Sequence, residues 1–129
     1  MATKILVVDD NPDAVTIVKS ALEARGYEVM TAERGSAALE AVAADRPDVI
    51  LLDIMMPDMS GLEVLERLKA NATTASIPVI LVTAKTQDDD VISGYAVGAE
   101  YYITKPFTSR QLVYGVNLVL GQQQSERGD

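Results

Sequence analysis

Short apolar runs alternate with helical periodicity along the chain. Ile5–Val8 is a continuous run rich in β-branched residues and too short for a helix, so it reads as a buried strand. Asn11 then reads as a helix N-cap with Pro12 at the first helical position. Val15, Val18 and Leu22 recur at helical spacing, and Gly26 is expected to end that helix. Tyr27–Thr31 reads as a second strand. A short helix follows from about Ser36, with Ala38, Leu39 and Val42 inward and Pro47 as its stop. Val49–Leu52 is the third strand. Ser60 and Glu63 carry a capping-box signature ahead of a Leu62, Leu65, Leu68 stripe. Asn71–Ser76 is a polar loop, and Pro78–Val82 is the fourth strand, with proline tolerated at its first residue. A fourth helix is expected from about Gln87 to Val97, closed by Gly98. Tyr101–Thr104 is the fifth strand. Thr108 or Ser109 caps a last helix with Leu112, Val116 and Leu120 inward, ended by Gly121.

Five β-then-α units with apolar strands predict a parallel sheet covered by helices on both faces. The fold class expected is α/β, flavodoxin-like (βα)5, with strand order 2-1-3-4-5 and right-handed crossovers. The pattern predicts one domain over residues 1–121 and a polar tail over 122–129. In such sheets ligands bind beyond the carboxyl ends of the strands.

Composition narrows the chemistry. The chain has 129 residues and a net charge of −8, so phosphate backbones and anionic membrane surfaces repel it. Direct nucleic-acid and membrane binding are therefore not expected. It has no cysteine and no histidine, which excludes disulfides, thiolate or imidazole metal sites, and Ser–His or Cys–His nucleophiles. The N-terminus has no signal-peptide layout and no apolar run reaches membrane-spanning length, so a cytoplasmic location is expected.

Four strand ends carry unusual residues. The first ends in Asp9-Asp10, the third in Asp53, the fourth in Thr83 and the fifth in Lys105-Pro106. In the 2-1-3-4-5 order these strands are neighbours, and one concave site would hold three carboxylates, a hydroxyl and an ammonium. Carboxylates about 4 Å apart repel by about 4 kcal/mol near a protein surface, so either one is protonated or a cation sits among them. All-oxygen ligands select Mg²⁺, Mn²⁺ or Ca²⁺ over zinc, and a site with few carboxylates and room for water and phosphate suits Mg²⁺. Lys105 and Thr83 then serve as donors to phosphoryl oxygens, and a carboxylate can itself be the nucleophile. Singly, each residue has a plainer role: a turn or cap aspartate, a strand-end hydroxyl, a solvated lysine. Their joint placement supports the site. Asp88-Asp89-Asp90 reads only as a helix-dipole run.

Together, Val7-Val8-Asp9-Asp10, Leu51-Leu52-Asp53-Ile54-Met55-Met56-Pro57 with Gly61, Val82-Thr83-Ala84 and Tyr102-Ile103-Thr104-Lys105-Pro106-Phe107 resemble the response-regulator receiver domain of two-component signalling, over about Lys4 to Gly121. The resemblance implies that Asp53 receives a phosphoryl group from a phosphohistidine on a histidine kinase or histidine phosphotransfer protein. It implies that Asp10 binds Mg²⁺ directly and Asp9 mainly through water, with Asp53 and the backbone carbonyl of Met55 completing the protein ligands. Lys105 and Thr83 would hold the phosphoryl oxygens, and the Lys105–Pro106 bond would be cis. It further implies a switch coupling Thr83 to Tyr102, with Tyr101 as the decoy beside it. Met55 and Lys85 fall where the family tunes its rates.

The output is expected at a face built from the fourth helix, the fifth strand and the last helix. Tyr114 and Leu118 lie off the last helix's core stripe, which suggests a docking surface for a downstream protein. The last helix lacks an Arg-rich dimerisation pattern, which favours a stand-alone receiver or one cut from a longer protein, as a monomer or a phosphorylation-dependent dimer. Two other classes fit less well. A haloacid-dehalogenase-like phosphatase needs an acid two residues after its nucleophile, where this chain has Met55. A flavin-binding protein needs a hydroxyl- and glycine-rich phosphate loop, where this chain has Asp9-Asp10-Asn11-Pro12.

Overall fold

A computed structural model of the chain describes residues 2–84 and 98–126. Five parallel strands form one sheet in the order β2-β1-β3-β4-β5. They are β1 (Lys4–Val8), β2 (Glu28–Ala32), β3 (Val49–Asp53), β4 (Val79–Ala84) and β5 (Tyr101–Lys105). The helices described are α1 (Pro12–Glu23), α2 (Gly35–Ala44), α3 (Gly61–Ala70) and a C-terminal helix over Ser109–Glu126. The fourth predicted helix, with Asp88–Asp90 and Lys85, lies outside the described residues.

Alternation along the strands builds two cores, one on each face. Leu6, Val8, Ile50, Leu52 and Leu81 meet Ala38 and Val42 of α2 and Val64, Leu65 and Leu68 of α3. The intervening Ile5, Val7, Leu51, Ile80 and Ile103 meet Val18 and Leu22 of α1 and Leu112, Val116 and Val119 of the C-terminal helix. β1 and β3 are apolar on both sides because both sides are covered, whereas the edge strands β2 and β5 stay half-open. Among the described residues no helix is long and apolar enough to cross a membrane.

Several ends follow local chemistry. Asn11 caps α1 by accepting from the Asp13 and Ala14 amides, with Pro12 at the first position. Gly26 takes φ +88° just past α1. Ser60 caps α3 by accepting from the Glu63 amide, but Glu63 pairs with Arg67 one turn on, so only half of the expected capping box forms. The reciprocal box appears instead at the C-terminal helix. There the Gln111 amide donates to Thr108 Oγ1 and the Thr108 amide donates to Gln111 Oε1.

Gly121 does not end that helix, which continues to Glu126. No left-handed backbone is needed there, and a run of glutamines with no proline behind it sustains helical structure. Pro47 lies two residues beyond the Asp45 cap of α2.

Candidate metal and phosphoryl site

Parallel pairing sets β1, β3, β4 and β5 side by side, so their carboxyl ends open on one edge of the sheet. One carboxylate oxygen each from Asp9, Asp10 and Asp53 lies within 4.8 Å of the others. Asp9 and Asp53 are buried, while Asp10 is exposed at the rim. Lys105 reaches across from the end of β5, and its Nζ donates to Asp9 Oδ2 at 3.0 Å and to Asp53 Oδ2 at 3.2 Å. Each buried carboxylate is also oriented from its own turn. The Asn11 amide donates to Asp9 Oδ1 at 3.0 Å, and the Met55 amide donates to Asp53 Oδ1 at 3.1 Å. The Lys105–Pro106 peptide bond is cis.

Electrostatics follow from that geometry. Burial, and then the neighbouring charge of Asp9, push the Asp53 carboxyl above the ordinary aspartate range, against the pull of Lys105. Burial works against the Lys105 ammonium, but its bonds to Asp9 and Asp53 outweigh this and hold its pKa above the ordinary lysine value. Two buried carboxylates share one ammonium, with a third carboxylate beside them. The donors are oxygens only, the set that suits a hard divalent cation such as Mg²⁺.

Gly61 fixes the position of Asp53 from behind. Its amide donates to the Ile54 carbonyl at 2.8 Å, and a Cβ there would collide with the Asp53 carbonyl oxygen and lie 2.8 Å from the Ile54 Cα. α3 can therefore start this close to β3 only on glycine.

The predicted residues come together to different extents. Asp9, Asp10, Asp53 and Lys105 form one cluster. Thr83 sits in β4 opposite Thr104, two positions beyond Leu81, which pairs with Tyr102. The Thr83 side chain lies outside the described residues. Tyr102 is half-buried against the α2–α3 core, while Tyr101 turns to the opposite face and packs with the other core. Tyr114 is 60% exposed, and Leu118 is half-buried.

One contributor escaped sequence reasoning. Asp58 accepts from the Gly35 and Ser36 amides at 3.0 and 3.1 Å, and these bonds hold its carboxyl below the ordinary range. It thereby caps α2, whose own N-cap residue, Arg34, makes no side-chain capping bond. The nearest signal in the sequence was the lack of a capping residue before Gly35.

An open parallel α/β sheet in the order 2-1-3-4-5, with an acidic, lysine-bridged cluster at its carboxyl edge, defines a flavodoxin-like α/β protein of the CheY-like class. The chain belongs to the response regulator receiver domain family, whose model matches residues 5–117. Receiver domains are signalling switches of two-component systems that interact with histidine kinases and downstream effectors. The chain is 45% identical over 116 residues to the phosphate regulon transcriptional regulatory protein PhoB of Pseudomonas aeruginosa, covering 90% of this chain and 51% of that protein. It is 38% identical over 117 residues to protein PilH of the same species, covering 91% of this chain and 97% of PilH. It thus spans about half the length of PhoB and of similar transcriptional regulators, and nearly all of PilH. Among solved structures, a CheY-like receiver domain protein from Methanospirillum hungatei superposes with a TM-score of 0.92 at 30% identity, covering 98% of this chain and 99% of that one.

Proposed function

We propose that Asp53 accepts a phosphoryl group from a phosphohistidine of a histidine kinase or histidine phosphotransfer protein. The observation that carries this reading is the Lys105 ammonium bridging Asp9 and Asp53 at 3.0 and 3.2 Å inside a three-carboxylate cluster. Asp53 is the buried carboxylate at the end of the central strand β3, oriented by the Met55 amide through one oxygen. Its other oxygen, now bonded to Lys105, is the nucleophile. Lys105 would move from the carboxylates to the incoming phosphoryl oxygens, and Thr83 would donate to another of them. Asp9, Asp10, Asp53 and the Met55 carbonyl would hold Mg²⁺, or Mn²⁺ in its place. Such an ion supplies charge neutralisation between the acids and the phosphoryl group.

The output follows as a population shift. Thr83 drawn toward the phosphoryl group leaves space that the Tyr102 ring can enter, which alters the surface beside β5 and the C-terminal helix. A downstream protein reads that surface, and Tyr114, exposed at its edge, would contact it.

Incubation with acetyl phosphate and Mg²⁺ should give a single phosphate adduct by intact mass. The adduct should vanish in Asp53→Asn and on chelation of the metal. An adduct that persists in Asp53→Asn would place the acceptor elsewhere and end this reading.

A further inference from the structure

We propose that Asp58 is a positioning residue for the site: by clamping the start of α2 it holds the β3–α3 loop, and with it the Met55 backbone, against the carboxylate cluster. This rests on the reading of that cluster, with the Met55 carbonyl, as a Mg²⁺ site.

The loop over residues 54–60 joins the end of β3 to the first turn of α3. Backbone bonds pin both of its ends. The Ile54 amide donates to the Val82 carbonyl at 3.1 Å, and the Gly61 amide donates to the Ile54 carbonyl at 2.8 Å. Between them, residues 55–60 make no backbone hydrogen bond with one another. Met55, whose amide donates to Asp53 Oδ1, lies in that stretch. Support comes from α2 instead. Asp58 Oδ1 accepts the Gly35 amide at 3.0 Å and Asp58 Oδ2 accepts the Ser36 amide at 3.1 Å, so the carboxylate grips the helix through both oxygens. Close packing reinforces the grip. A Cβ on Gly35 would lie 2.9 Å from Val64 Cγ2 and 3.0 Å from Met59 Cβ, so helix and loop meet with no room for a side chain. Met56 and Met59 pack on the core that α2 and α3 share.

The clamp matters because a hard cation tolerates little displacement. Mg²⁺ demands near-ideal octahedral ligands, and outer groups that orient its ligands are commonly worth about tenfold or more in affinity. A two-oxygen grip also fixes direction, which a single bond leaves free to swivel. Asp58 caps α2 as well, so helix stability and loop position must be separated. Arg34 allows that, because it holds the N-cap position in extended backbone and makes no capping bond. A serine there can cap α2 without touching the loop.

The test measures Mg²⁺ affinity by calorimetry, hydrogen exchange of the Met55 amide by NMR in metal-free protein, and Tm. Asp58→Ala should weaken Mg²⁺ binding by about tenfold, speed exchange of the Met55 amide and lower Tm. The Asn11 amide, which donates to Asp9 Oδ1 away from this loop, should keep its rate. Adding Arg34→Ser to Asp58→Ala should recover Tm and leave Mg²⁺ affinity and Met55 exchange impaired. Asp58→Asn keeps an acceptor oxygen and should recover most of the affinity. Unchanged Mg²⁺ affinity in Asp58→Ala, or its recovery by Arg34→Ser, would reduce Asp58 to a helix cap and overturn the proposal with the metal site intact. No Mg²⁺ binding by the wild-type chain would overturn both.

Discussion

Lys105 sits among the carboxylates that a divalent cation would use. Its ammonium sits on Asp9 Oδ2 and Asp53 Oδ2, and both residues belong to the candidate metal cluster. Two cations beside the same carboxylates repel each other and divide the same negative charge, so lysine and metal compete. Lys105→Met should therefore tighten Mg²⁺ binding by about tenfold or more, given pair energies of about 4 kcal/mol near a surface. The same change should slow adduct formation, because the phosphoryl oxygens lose their ammonium donor. Calorimetric Mg²⁺ titration checks the first half, and unchanged affinity would mean that lysine and metal use separate oxygens. These residues were legible in sequence because a parallel sheet delivers every strand's carboxyl end to one side, whatever the loops do. Asp58 was not legible. Its amide partners at Gly35 and Ser36 lie 23 and 22 residues away, and no local pattern encodes such a pairing.

Glycines show how an element reads differently from its residues. Gly26, Gly98 and Gly121 look alike in sequence, each at the end of a periodic stretch. Gly26 and Gly98 take φ +88° and +123° and do punctuate the chain. Gly121 lies inside the C-terminal helix with nothing within 4 Å of a built Cβ. Gly121→Ala should therefore raise stability by about 0.5–1 kcal/mol, the ordinary helix-interior difference. Gly115, in the same helix, has the Tyr101 ring 3.1 Å from the Cβ position, so Gly115→Ala should lose that gain. Gly61→Ala meets backbone, not a yielding side chain, and should cost about 1–3 kcal/mol. It should also depress phosphorylation, since the strand it displaces carries Asp53. Urea denaturation of the three variants ranks them directly. α2 offers a pH test at the same scale. The depressed carboxyl of Asp58 contributes stability that is present above its unfolded pKa and lost as pH falls through its folded value. The difference in Tm between wild type and Asp58→Ala should shrink toward acid pH, and a difference constant across that range would deny the cap its charge.

The candidate site lies at the carboxyl end of the sheet, and an ion-paired cluster ties the molecule together at the amino end. At the amino ends of β4 and β5, Lys69 of α3 donates to the Ala75 and Ile77 carbonyls, each at 3.0 Å, and to both oxygens of Glu100. Glu100 in turn accepts the Val79 amide at 2.8 Å. The Lys69 side chain is only 14% exposed, so this pair is screened far less than Lys4–Asp45 or Arg67–Glu63 at the surface. It joins the end of α3, the loop after it and the starts of two strands, across 31 residues of sequence. Nothing in the sequence marks Lys69 and Glu100 as a pair, because only the closed fold sets them face to face. Lys69→Met removes one charge, leaves the Ala75 and Ile77 carbonyls without their ammonium donor, and leaves Glu100, with its side chain 32% exposed, without its partner. Glu100→Gln keeps the acceptor for Val79 and removes only the charge. Truncating one partner of such a pair is the costly case, so Lys69→Met should cost about 2–3 kcal/mol and Glu100→Gln less. Neither residue touches the carboxylate cluster, so acetyl phosphate should still label Asp53 in both variants under native conditions. Stability would then fall while phosphorylation stays, a split measured by denaturation and intact mass on the same samples. Loss of labelling in a folded Glu100→Gln protein would instead mean that the two ends of β4 and β5 are mechanically coupled.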